Sequence, residues 1–402
     1  MTPVRASRVS QTDAFRARTP SPAPSTVLSK AHQMVADVAP RVPPLRSFNK
    51  GHILLYVCLA FWLGWLILPL HELDDNGRFT HEVTTAGLHN YFGNFEGFSE
   101  CNIRAAELYA VPPSDHLGFY DFGTFCHDRK HLLKALSEGG RVGFDASYTP
   151  RGCNYRWYEV EEMCFILERF DGLVFVGDET LQAIYSGLNI LLRRDLALGA
   201  LDSASMEWAL QDECRCSNQF IKQDCRQHSL MNSEKASQDD HFGSPYLCNR
   251  VRHDFLSSDS AQPGIFTVEK FKQIVPRAPR SKYRPIPIIH SIGPSSISAN
   301  DAATSLGRFV ELADDSGRNT PMLWIGPTAA GHVELKGRKG NQEIWEFDRK
   351  MAATAQEKDV DVLGMWNMTV QATSWDGMRF AEKVAITQAM MVMNWLGRLE
   401  SS

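Results

Sequence analysis

The chain has 402 residues, 43% of them hydrophobic and 22% charged, the balance of a globular protein with room for one large domain or two small ones. Its net charge of −5 is unevenly spread: residues 1–50 carry eight Lys or Arg against two Asp, residues 51–70 carry none, and the remainder is net negative by 11. So acidic a remainder lacks the phosphate-neutralising surface that nucleic-acid binding needs, which excludes nucleic acid as its partner.

Residues 1–50 hold seven Pro and six Ser among scattered Arg. Such a segment cannot bury enough apolar surface to offset its chain entropy, and it reads as a disordered cytosolic tail. The run Ile53–Leu70 then has eighteen residues without an ionisable side chain. Backbone groups in lipid must bond within their own segment, so the run predicts one membrane-spanning helix within 51–71. Arg41, Arg46 and Lys50 precede it; Glu72, Asp74 and Asp75 follow. The positive-inside rule puts residue 1 in the cytosol and the large C-terminal part on the lumenal or extracellular side, a single-pass type II arrangement. A cleaved signal peptide is a poor fit. The run starts too late, and Pro69-Leu70-His71-Glu72 is no small-x-small site.

Residues 72–150 mix Gly, Asn and aromatic side chains and read as an N-terminal elaboration of a main domain over 151–402. There Leu173-Val174-Phe175-Val176 predicts a buried parallel strand that ends at Gly177-Asp178. Leu181, Ile184, Leu188 and Leu191 give Glu179–Arg194 helical spacing. Further strands are expected at Ile286–His290, Met322–Ile325 and Val362–Trp366, with helices near 301–316 and 343–357 and a nearly all-apolar one at Val384–Leu396. Strands alternating with helices argue for an α/β layered fold around a parallel sheet. The stretch at about 205–282, rich in Cys, Ser, Asp and Pro, breaks that rhythm and reads as an insertion.

Of nine Cys, Cys58 lies in the apolar run and the other eight lie beyond it, enough for up to four disulfides in an oxidising compartment. The spacing leaves their connectivity open. Cys214, Cys216, Cys225 and His228 also form a candidate zinc cluster, but one residue between the first two Cys is tighter than structural zinc sites favour, and no metal or organic cofactor is expected. Asn367-Met368-Thr369 is the one N-glycosylation sequon with an allowed middle residue.

Four blocks carry a family resemblance: Gly152-Cys153-Asn154-Tyr155-Arg156-Trp157-Tyr158 with Cys164 and Phe175-Val176-Gly177-Asp178; His290-Ser291-Ile292-Gly293; Trp324-Ile325-Gly326-Pro327-Thr328-Ala329-Ala330-Gly331-His332; and Ser374-Trp375-Asp376-Gly377. Their order resembles the SGNH-fold PC-esterase group, which includes trichome-birefringence-like proteins and Cas1-type sugar O-acetyltransferases, and is most similar to membrane-anchored members from filamentous fungi. The resemblance implies a three-layer SGNH-hydrolase-like sandwich, a Golgi or other secretory-pathway membrane, and a glycan or acyl-glycan ligand. Active relatives attack an acyl carbon with a Ser after Gly-Asp, deprotonated by a His that an Asp three residues earlier orients. At those positions stand Glu179, Arg379 and Asp376, and Gln182 replaces an Arg common in the group. A guanidinium does not deprotonate at physiological pH and a carboxylate attacks esters poorly, so the resemblance implies a catalytically degenerate relative that binds a glycan or protein partner. Its alternative is an active O-acetyltransferase or esterase with a non-standard residue set. Glu179 and Arg379 are complementary and are expected to form an ion pair across the cleft. Asp178 is expected to order the turn, with Gly177, His290, Gly293 and His332 as candidate ligand contacts. No signal sets the oligomeric state.

Overall fold

The computed structural model describes residues 91–109, 125–238, 248, 250–279, 283–331 and 340–400. All belong to a compact unit, His81–Ser402. The expected tail and membrane helix, and His332, lie outside the described residues. Among the described residues no helix is long and apolar enough to cross a membrane.

The chain is mixed α/β. A short ribbon pairs β1 (Gly140–Arg141) with β2 (Tyr148–Thr149) antiparallel. The main sheet holds β3 (Leu173–Gly177), β4 (His253–Ser257), β5 (Ile288–Ser291), β6 (Met322–Ile325) and β7 (Asp361–Leu363), all parallel, in the order β4-β3-β5-β6-β7. Seven helices matter here: α1 (Arg129–Glu138), α2 (Val160–Leu167), α3 (Glu179–Arg193), α4 (Ile265–Ile274), α5 (Ala299–Asp315), α6 (Asn341–Glu357) and α7 (Glu382–Gly397). Side chains alternate along each strand. Phe175, Ile289, Leu323 and Leu363 join the apolar cluster of α3 and α7, whereas Val174, Val176, Ile288 and Trp324 join that of α4, α5 and α6. Helices therefore cover both faces, as buried parallel strands require.

One finding revises the expected organisation and a second explains an element that was expected. First, β4 and α4 lie inside the stretch read as an insertion over 205–282. Residues 253–274 continue the alternating rhythm, and β4 is the sheet edge beside β3. Second, α7 is buried along almost its whole length because it is covered on both sides. It packs on α3 and also on α1, from the N-terminal stretch, and on α2, at the start of the main domain. A helix without a polar face is then a core helix.

All eight described Cys pair, as Cys101–Cys216, Cys126–Cys153, Cys164–Cys248 and Cys214–Cys225. The thiolates of the alternative zinc cluster are consumed in these bonds. Four disulfides accord with an oxidising secretory environment. The sequon is tied into the fold: Asn367 Nδ2 donates to Ser137 O at 2.9 Å, and Thr369 is fully buried.

The α3–α7 contact turns on Gly187. A Cβ there would sit 2.4 Å from Ala385 O and 2.9 Å from Ile386 N, so the two backbones touch. Backbone atoms at a packed interface cannot yield as a flexible side chain does. Gly187→Val is expected to lower stability by about 1–3 kcal/mol or more, read as the urea midpoint of the full chain. An unchanged midpoint would show that the helices have slack.

Candidate functional site

In open parallel sheets, ligands gather beyond the carboxyl ends of the strands, where the strand order reverses. Here that point lies between β3 and β5. A Cβ at Gly177 would meet Ser291 O at 2.0 Å, so only glycine lets β3 end this close to β5. Asp178 follows, in extended conformation, and caps α3 by accepting from Thr180 N at 3.0 Å. Its other oxygen accepts from Gly293 N at 2.7 Å and Ser296 Oγ at 3.1 Å. Burial raises the Asp178 carboxyl above the usual range, and these donors pull it back only in part. Asp178 therefore orders the turn, as expected.

Three of the expected ligand contacts take other roles. The Gly293 N–H is spent on Asp178, and Gly177 is packed within the sheet, so both build the turn. His290 has no access to the site. The period of two along β5 points it to the α5 face, where it stacks on Trp324 with ring centroids 5.6 Å apart, within 3.4 Å of Ser305 Oγ. It is fully buried, and desolvation holds its pKa down to about 3, so it stays neutral.

The remaining expected residues do converge. Glu179, the first residue of α3, accepts from Arg379 Nη2 at 3.2 Å, so the ion pair read from the sequence is present. A second cation is closer: Arg226 Nη1 lies 2.6 Å from the same oxygen, Glu179 Oε2. Arg379 Nη1 in turn donates to Asp376 Oδ2 at 2.6 Å. The other Asp376 oxygen accepts from the N–H groups of Met378 and Arg379 at 3.0 and 2.8 Å, closing the loop before α7. Desolvation raises the Glu179 carboxyl, but Arg226 and Arg379 more than offset it and leave it below the usual carboxylate range. Two carboxylates and two guanidiniums thus form a neutral cluster.

Glu179, Arg226 and Arg379 also line a small pocket of about 50 Å³. Its apolar walls include Ala183, Phe220, Phe380 and Ala385, and Ser186 and Gln388 add polar groups. Gln388 is only 2% exposed, and its Nε2 has no hydrogen-bond partner. Hydroxyl–imidazole pairs occur elsewhere among the described residues. Ser305 and His290 are sealed in the core. Ser205 Oγ lies 3.3 Å from His228 Nδ1 but 2.8 Å from the Asp202 carbonyl, which takes its proton.

Sequence reasoning missed Arg226 and Gln388. Arg226 follows Cys225 in the disulfide-rich stretch, and nothing in that spacing points across to α3. Gln388 hides in a mostly apolar helix. Against known proteins, no family model matches the chain, and no curated protein matches it either.

Asp348, midway along α6, was also missed. Its Oδ1 is buried without a hydrogen-bond partner against the backbone of Gly326, just beyond β6. Desolvation raises its pKa to about 6. A carboxyl raised above its unfolded value costs no stability in acid and an increasing amount as pH rises from about 4 to about 6. Asp348→Asn is therefore expected to exceed the wild type by roughly 2–3 kcal/mol at pH 8 and to match it below about pH 4. Urea unfolding of both proteins across that range checks this, and a difference independent of pH would contradict it.

Proposed function

We propose that this chain is a membrane-anchored lumenal protein of the SGNH-hydrolase-like type whose acyl-transfer centre has become a binding site. The observation that carries this reading is Glu179 Oε2 held between Arg226 at 2.6 Å and Arg379 at 3.2 Å, at the turn where a nucleophile would stand. The sheet order, the Gly177-Asp178 turn at its reversal point and the arrival of the Asp376–Arg379 loop beside that turn all favour the kinship. Acyl transfer there needs a nucleophile with an adjacent base. A carboxylate neutralised by two guanidiniums is poor at both tasks, and Asp376 is committed to Arg379. Four disulfides favour the lumenal side, and the basic flank before the apolar run favours the type II orientation. A cleft stripped of turnover but lined with charged and aromatic groups suits recognition of a glycan or a partner protein.

The test is ester turnover by the full chain in detergent with a generic acetyl ester. The wild type is expected to release no acetate above a heat-denatured control. The double variant Glu179→Ser with Arg379→His is expected to gain measurable turnover, and each single variant to gain none, because the hydroxyl and imidazole act as a unit. Wild-type turnover that is lost in Ser205→Ala or His228→Ala would instead make the protein an active esterase or O-acetyltransferase working elsewhere on the domain.

A further inference from the structure

The cluster is built inside out for a permanent salt bridge. The Glu179 side chain is 65% exposed, whereas those of Arg226 and Arg379 are 21% and 31% exposed. The guanidiniums form the seat, and the carboxylate rests on it from the solvent side. Each arginine also keeps a buried Nε without a hydrogen-bond partner, so neither guanidinium fork is filled. Ion pairs this exposed contribute little stability, about 0–1 kcal/mol, and a carboxylate held so lightly is exchangeable.

The pocket below specifies what else a ligand must carry. Its volume of about 50 Å³ is room for roughly four water-sized groups. Apart from Glu179, Arg226 and Arg379 themselves, none of its lining side chains is charged, so an ionised group placed away from the two arginines would be buried without a partner. The lining also offers hydrogen bonds, from the Gln388 Nε2, which has no partner, and from Ser186, which is 4% exposed.

We propose that the cleft is a receptor for a carboxylate-bearing ligand with a short, uncharged, hydrogen-bonding arm, and that Glu179 occupies the arginine seat until that ligand displaces it. The ligand's carboxylate replaces Glu179 on Arg226 and Arg379, and the arm enters the pocket to bond the Gln388 amide. Glu179 swings into solvent, which its exposed position allows. The α3 cap is undisturbed, because Asp178 makes it. This inference rests on the reading of the cleft as a binding site, but it is read without any ester, so failure here leaves that reading to the turnover assay.

Thermal unfolding of the full chain is followed against acetate, lactate and succinamate at constant ionic strength, with chloride as the control. Glu179→Ala is expected to show a saturable rise in Tm with half-saturation about ten-fold below the wild type, because the internal competitor is gone. Glu179→Gln gives the same result if the alanine harms folding. In the Glu179→Ala background succinamate binds more tightly than acetate. Adding Gln388→Leu removes that advantage and spares acetate, whereas adding Arg226→Ala abolishes the response to all three. Equal half-saturation in the wild type and the Glu179 variants overturns the proposal. So does a chloride response of equal size, or a carboxylate response that survives Arg226→Ala.

Discussion

The arrangement depends first on one buried carboxylate. Asp178 joins the two sides of the point where the strand order reverses, capping α3 with one oxygen and holding Gly293 and Ser296 with the other. An ionised carboxylate nearly devoid of solvent is tolerable only when such donors surround it. The result is a turn with little freedom. It sends α3 back across the sheet and leaves the first residue of the helix, Glu179, facing out over the carboxyl ends of the strands. Every later feature of the cleft is placed relative to that residue.

Around Glu179 the charges are arranged as a chain rather than a pair. Arg226 and Arg379 share one carboxylate oxygen, and Asp376 neutralises the far side of Arg379 while its other oxygen closes the loop that carries both. Asp376 thus orients the group three residues ahead of it, and that group is a permanent cation. Arg226 comes from a different part of the chain, held by the Cys214–Cys225 and Cys101–Cys216 bonds. The disulfide-rich segment therefore supplies half of the seat, and its covalent ties serve the cleft as well as the fold.

What the sequence could disclose follows from where its signals are local. The strand at Leu173 and the helix after it were legible because a fully buried apolar run and a helical period are properties of a few adjacent residues. The Glu179–Arg379 pair was legible because motif order brings two loops together. The strand at His253 was not, because His253-Asp254-Phe255-Leu256-Ser257 has only two apolar residues in five. His253 is nonetheless fully buried, beside the Tyr185 hydroxyl at 2.8 Å. His290 was misplaced for a different reason. Its motif suggested a cleft, but the alternation that puts Val176 on the α5 face does the same to its cross-strand partner, His290. A motif locates a residue along the chain; the pleat decides which side of the sheet it serves.

The pocket and the close contact of α3 with α7 have a common origin in small side chains. Ala183, Ser186 and Gly187 on α3 oppose Ala385 on α7, and at Gly187 the helices touch backbone to backbone. One turn nearer the clamp, Ala183 faces the opening between the helices, and Ala385 is shared by contact and pocket alike. Gln388, one turn further along α7, brings an amide to the pocket and, unlike the hydrogen-bonded Asn394 amide of the same helix, leaves its Nε2 without a partner. An unsatisfied buried donor costs about 1–3 kcal/mol. A leucine of similar length would avoid that penalty, so packing alone gives no reason for glutamine at this position. A group that enters the pocket and accepts from the amide does, and it is the arginine pair at the pocket's rim that decides which molecules can bring such a group to it.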